Sequence, residues 1–155
     1  MGSRSNAIAV VLLCALAATA TAIAGDPFAG TWKMDPAKST SSSQLDKSYT
    51  LIIESEDNGC KVVQDFVTAE EKTVHRSWSA KYDGKFYSVT APDEDQISLK
   101  KPNANTVEYV LRKNGKEAWG GRAILSKDGK TMIDRGGGKD ANGNVFSYSI
   151  FMVKQ

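Results

Sequence analysis

The sequence predicts an all-β protein, an up-and-down meander of about ten antiparallel strands closed into a barrel. Three observations lead there. Turn signals containing glycine recur at Asn58-Gly59, Asp83-Gly84, Asn114-Gly115, Asp128-Gly129 and Asn142-Gly143, pairs that accept the positive φ angles of tight hairpins. The segments between turns run about six to twelve residues, the spacing of consecutive antiparallel strands. No segment after residue 24 sustains a helical period.

Residues 1–24 read as a signal peptide and are set aside before the fold is considered. Arg4 gives a short positive start, and Ala7 to Ala18 is an uncharged apolar run, shorter than the roughly 20 residues of a membrane span. Ala22-Ile23-Ala24 has the A-x-A form that signal peptidase reads, so cleavage is expected before Gly25, with Ala20-Thr21-Ala22 as second choice. An uncleaved N-terminal anchor is the alternative. The expected location is secreted or periplasmic, with no membrane span after cleavage.

Composition bounds the remainder, residues 25–155. The chain of 155 residues is 41% hydrophobic and 25% charged, with a net charge of +2, which describes one ordinary soluble domain. Its 20 basic and 18 acidic side chains leave no surplus field for nucleic acid or an anionic membrane. Without Cys14 of the leader, Cys60 stands alone and cannot close an intramolecular disulfide, so stability must come from the core. Cys60 itself reads as a small buried hydrophobe, lacking an activating set. A monomer is expected.

The strands are expected near 28–34, 47–55, 60–68, 72–81, 85–90, 96–101, 106–113, 116–126, 130–135 and 144–154. Weaker breaks at Ala69 to Glu71, Ala91 to Asp95 and Pro102 to Asn105 separate those that the glycine turns do not. Asp35 to Gln44 is Ser-rich and reads as a mobile loop with one helical turn after Pro36. Tight sequential hairpins favour a barrel, which removes exposed edges, over a Greek-key sandwich, which needs longer crossing connections. Barrels of about eight or more strands can hold a small ligand.

The start of the mature chain sharpens this. Phe28-Ala29-Gly30-Thr31-Trp32-Lys33 carries Gly-x-Trp on the first predicted strand, followed by Pro36-Ala37-Lys38-Ser39. With Lys81 to Lys85 and Ser126 to Thr131 as later Asp-Gly turns, the chain resembles lipocalin-like proteins of the calycin superfamily, in particular small exported bacterial ones. The resemblance implies a small-molecule-binding barrel. It further implies that Trp32, with Gly30 beside it, closes one end beneath a basic side chain from near the C-terminus, for which Arg135 and Lys154 are both candidates. Fatty-acid-binding proteins share the strand count but insert a helical pair after the first strand; Asp35 to Gln44 is too short for one.

Alternation selects the candidate ligand-binding residues. On 72–81, Val74, Arg76, Trp78 and Ala80 share one face, so Trp78 and Arg76 are expected inside. An inward Arg76 needs an acidic partner such as Glu108, a bound anion or water, or else a position near a barrel mouth with its head in solvent. On the last strand the bulkier set Phe146, Tyr148, Ile150 and Met152 is expected to face inward, and Tyr148 could offer a hydroxyl to a ligand. Tyr109 joins this set. On 116–126 the pattern leaves open whether Arg122 or Trp119 faces the interior, and Gly120-Gly121 reads as a bend or bulge.

Other strings are set aside. Gly136-Gly137-Gly138-Lys139 lacks phosphate-loop spacing and reads as a flexible strand end, and Asp93-Glu94-Asp95 reads as a solvated turn. His75, the single histidine, is expected to point outward, which leaves no zinc or haem ligand set; no metal or cofactor is expected. No nucleophile elbow is present. The expected function is binding of a small, partly apolar molecule without catalysis. The alternative is a protein-binding barrel, such as an exported protease inhibitor acting through its loops; an enzyme would show a buried ionisable pair facing one cavity. A lumen on the order of 300 Å³ or more favours the binder, and a packed lumen the protein-binding alternative.

Overall fold

The computed structural model describes residues 25–140 and 142–155, so the expected leader lies outside the described residues. The strands are β1 (Gly30–Met34), β2 (Thr40–Ser41), β3 (Ser48–Glu56), β4 (Gly59–Val67), β5 (Thr73–Lys81), β6 (Asp83–Thr90), β7 (Gln96–Asn103), β8 (Thr106–Lys113), β9 (Lys116–Leu125), β10 (Thr131–Lys139) and β11 (Val145–Lys154). All pairings are antiparallel between neighbours, from β3 through β11 in order, and β1 bridges β3 to β11. The sheet therefore closes on itself, and the meander expected from the hairpin signals is a barrel.

Closure is built at the base. Trp32 faces Leu51 of β3 and Lys154 of β11 in register, and its ring is fully buried with Nε1 donating to the Phe28 carbonyl at 2.9 Å. Lys154 Nζ lies 5.1 Å above the ring centroid and bonds to the Pro27 carbonyl, so Lys154, not Arg135, is the basic cover. Gly30 is required twice over. It holds φ +130°, and a Cβ there would stand 2.7 Å from the Lys154 side chain. Around this plug Asp26 accepts from Lys101 Nζ, Tyr82 Oη and the Phe28 amide at 2.8–3.0 Å. Burial would raise the Asp26 pKa, but these donors together hold it below the ordinary aspartate value. Cys60 is buried beside this end, and burial pushes its thiol up to about 11.

Several expectations are corrected. The Asp35 to Gln44 stretch is not a free loop: after a 3-10 turn at Pro36–Lys38 it forms β2, which pairs with Tyr148 and Ser149 of β11. The serines explain the docking, since Ser39 Oγ and Ser42 Oγ each accept an amide of β11, from Phe151 and Ser147. Without β2, the upper half of that edge would be left open where β1 ends. The glycine run Gly136 to Gly138 continues β10 as far as Lys139, fully paired on both sides. Gly120-Gly121 keeps its ladder register, and the irregularity of that hairpin lies between Leu111 and Arg112. Asp83-Gly84 begins β6, with Gly84 at φ +76° beside a register shift, rather than forming the turn before it.

Candidate ligand-binding lumen

Because strands alternate, each contributes every second side chain to the interior. Toward the base the inward set is Ile53, Val62, Ala80, Leu99, Val107, Leu125 and Met132, all buried. Higher up the side chains do not meet. They enclose a cavity of about 940 Å³, whose rim is formed by Gln44, Leu45, Pro92, Lys113, Lys116, Lys139 and Gly143. The hollow lies near the upper end of the roughly 300–1,000 Å³ range of small-molecule pockets. Arg76, Trp78, Tyr109, Tyr148 and Phe146, named from sequence as ligand-binding residues, all line it.

The first polar group in the wall is built on Arg76. Its guanidinium is held between the rings of Phe66 and Trp119, 4.9 and 5.4 Å from the centroids. Its partner is Glu94: Nη2 donates to Oε1 at 3.1 Å, and Nε stands 3.1 Å from Oε2 without hydrogen-bond alignment. Trp119 Nε1 donates to the same Oε1 at 2.7 Å. Glu94 is only 4% exposed, so the turn from Pro92 to Asp95 is anchored inward, contrary to the solvated turn expected from Asp93-Glu94-Asp95. Glu108 is not the partner; it lies on the outer face, bonded to Arg122. That pair also settles β9, where Trp119 and Ala123 face the lumen and Arg122 the solvent. His75 is likewise outside, 2.7 Å from Asp65.

The second group is deeper and was not foreseen. Tyr109 Oη donates to Asp134 Oδ1 at 2.5 Å and is hydrogen-bonded to the hydroxyl of Tyr148. Asp134 is one residue pair above the buried Met132 on β10, and the surface it retains belongs to the lumen. Removal from bulk water pushes its carboxyl up to about 7, opposed in part by the Tyr109 hydrogen bond. Burial, joined by the nearby Asp134 charge, raises the hydroxyls of Tyr109, Tyr148 and Tyr49 well above the ordinary tyrosine value. Tyr49 in turn accepts from Gln64 Nε2 at 2.5 Å.

Two absent side chains make this cluster possible. Gly121 of β9 and Gly136 of β10 face each other in register, between Tyr109 and Tyr148. A Cβ on Gly121 would stand 2.5 Å from Tyr109 Oη and 2.5 Å from the Arg135 carbonyl; one on Gly136 would overlap the Tyr148 hydroxyl. The glycines are a floor over which the two phenols reach the carboxylate.

The fold likeness is measurable. A solved structure of zebrafish ileal bile acid-binding protein, complexed with cholic acid, superposes with a TM-score of 0.53, covering 83% of this chain and 99% of that one. Sequence identity is 9%, so the likeness is one of fold. The chain has a lipocalin-like, calycin-type barrel. No family model matches the sequence, and no curated protein matches it. Where fatty-acid-binding proteins insert a helical pair, this chain has the single turn at Pro36–Lys38 and β2.

Sequence reasoning missed Asp134 and Glu94 and left Trp119 undecided, for identifiable reasons. Ending the tenth strand at 135 hid the series Met132, Asp134, Gly136, Gly138, which places a carboxylate on the same face as a core methionine. The signal for Glu94 was indirect: an inward Arg76 requires a carboxylate, and none is available on the inner faces of the adjacent strands.

Proposed function

We propose that this protein is an exported, monomeric binder of a small, partly apolar molecule, which it holds in the barrel lumen without transforming it. The observation that carries the reading is the hollow of about 940 Å³, apolar in most of its wall and furnished with two separate polar groups. The cholic acid complex of the zebrafish barrel is in keeping with it. Arg76 and Glu94 are a buried ionisable pair of the kind an enzyme would present, but each neutralises the other and Trp119 adds a further donor. The hollow lumen also favours this reading over a loop-acting protease inhibitor. Export rests on the leader-like residues 1–24. Native mass spectrometry of protein from its own source should show a bound small molecule. A clean apo mass, together with tryptophan fluorescence that ignores a panel of lipophilic compounds, would overturn the proposal.

A further inference from the structure

The two polar groups of the lumen differ in what they leave free. Among the described residues, Arg76 is the only basic side chain of the wall below the exposed rim lysines Lys113, Lys116 and Lys139. Its charge is met by Glu94 and its faces are covered by Phe66 and Trp119. A ligand carboxylate would have to compete for it with Glu94, which is itself only 4% exposed.

At the deeper group the hydrogen bonds have a fixed sense. An ionised Asp134 can only accept, so Tyr109 donates to it, and the Tyr109 oxygen then takes the Tyr148 proton. Both phenolic protons are thereby committed toward Asp134. Among the described residues no group donates to Asp134 Oδ2, and this oxygen is not sealed in the wall. The Tyr148 oxygen keeps a lone pair as well. What remains facing the hollow, where the two phenols cross Gly121 and Gly136, is chiefly acceptors around one carboxylate; Tyr49, which accepts from Gln64, keeps its own proton to donate.

We propose that the occupant is an amphiphile with a cationic, hydrogen-bond-donating end, an aliphatic or aryl-substituted amine, whose ammonium sits at Asp134 Oδ2 while its apolar body lies against Trp78, Leu111 and Phe146. A lipid of the same length ending in a carboxylate is disfavoured there. This deepens the ligand-binding reading above and rests on it. The groups facing Asp134 are Tyr109 of β8, Tyr148 of β11 and Tyr49 of β3, none of which carries positive charge; Arg76 of β5, with Asp46 near it, acts across the hollow while paired to Glu94.

The test is displacement of lumen-bound Nile red by decylamine, decanol and decanoate, with tryptophan emission as a second signal. At about pH 8.5, where both Asp134 and the amine are charged, decylamine should bind at least about tenfold more tightly than decanoate, with decanol between, the scale of one charge-assisted hydrogen bond. Lowering the pH to about 5.5 should reduce the amine's advantage as Asp134 gains a proton. In Asp134→Asn the amine should fall to the level of decanol while decanol is held as before, which also reports that the variant is folded. Tyr148→Phe should keep the ranking, since the carboxylate remains. Decanoate equal to or better than decylamine, or a ranking unchanged in Asp134→Asn, overturns this inference and leaves the binding reading standing. Failure of all three compounds with folded protein overturns both.

Discussion

Replacing Glu94 by glutamine isolates the best-defined interaction of the wall. The substitution keeps shape and one acceptor oxygen but leaves the Arg76 charge unmatched, and the side chains are only 14% and 4% exposed. Removing one partner of a buried pair costs about 3–5 kcal/mol. Arg76 retains the faces of Phe66 and Trp119, worth about 1 kcal/mol together, and the amide oxygen still accepts from Trp119, so about 2–3 kcal/mol is expected. For a domain of this size that lowers Tm by roughly 10 °C. Urea unfolding followed by circular dichroism measures it, alongside Arg76→Met and the double variant. Because a buried pair removed whole is often nearly neutral, Arg76→Met with Glu94→Gln should lose less than the two single changes combined, by about 1–2 kcal/mol. A Glu94→Gln protein within about 0.5 kcal/mol of the parent, or strict additivity, would refute the reasoning.

Asp134 makes a pH prediction whose sign is unusual for an aspartate. Its folded pKa is raised to about 7, so between about pH 4 and 7 the native state binds a proton that the unfolded chain has lost, and stability falls as pH rises through that window. Asp134→Asn should therefore gain on the parent by up to about 4 kcal/mol across it; a flat difference would contradict the buried carboxyl. Gly136→Ala should cost at least about 2 kcal/mol in urea unfolding, and adding Tyr148→Phe should return part of that loss, because the new Cβ meets the phenol as well as the Gly120 carbonyl. Trp32→Ala should cost about 3–5 kcal/mol, measured in the same way, since the whole ring is buried. Cys60, buried with its thiol pushed up to about 11, should resist thiol reagents at neutral pH, with peptide mass spectrometry showing labelling about a hundredfold faster in urea.

The barrel was legible because its instructions are local. Glycine turns and alternating segments specify hairpins one at a time, and on β5 and β11 alternation alone placed Arg76, Trp78, Phe146 and Tyr148 correctly. What stayed hidden depended on distant partners. Nothing near Glu94 in the chain says that a guanidinium 18 residues earlier will draw it inward. Glycine runs are ambiguous in the same way: Gly136 to Gly138 reads as slack until Tyr148 is known to cross above it, when the missing side chains become a requirement. The serines flanking β2, Ser39 and Ser42, read as loop composition, yet their hydroxyls hold the edge of β11.

Pairing β1 with β11 has a further effect, on when this fold can exist. The pairing that completes the ring sets Lys154 against Trp32, and their two strands stand at opposite ends of the barrel's order along the chain. Hairpins can form one at a time as the chain emerges, but the ring cannot shut until β11 has been made, and so long a loop closure makes for slow folding. For that interval the finished hairpins remain an open ribbon with unpaired strand edges at both sides.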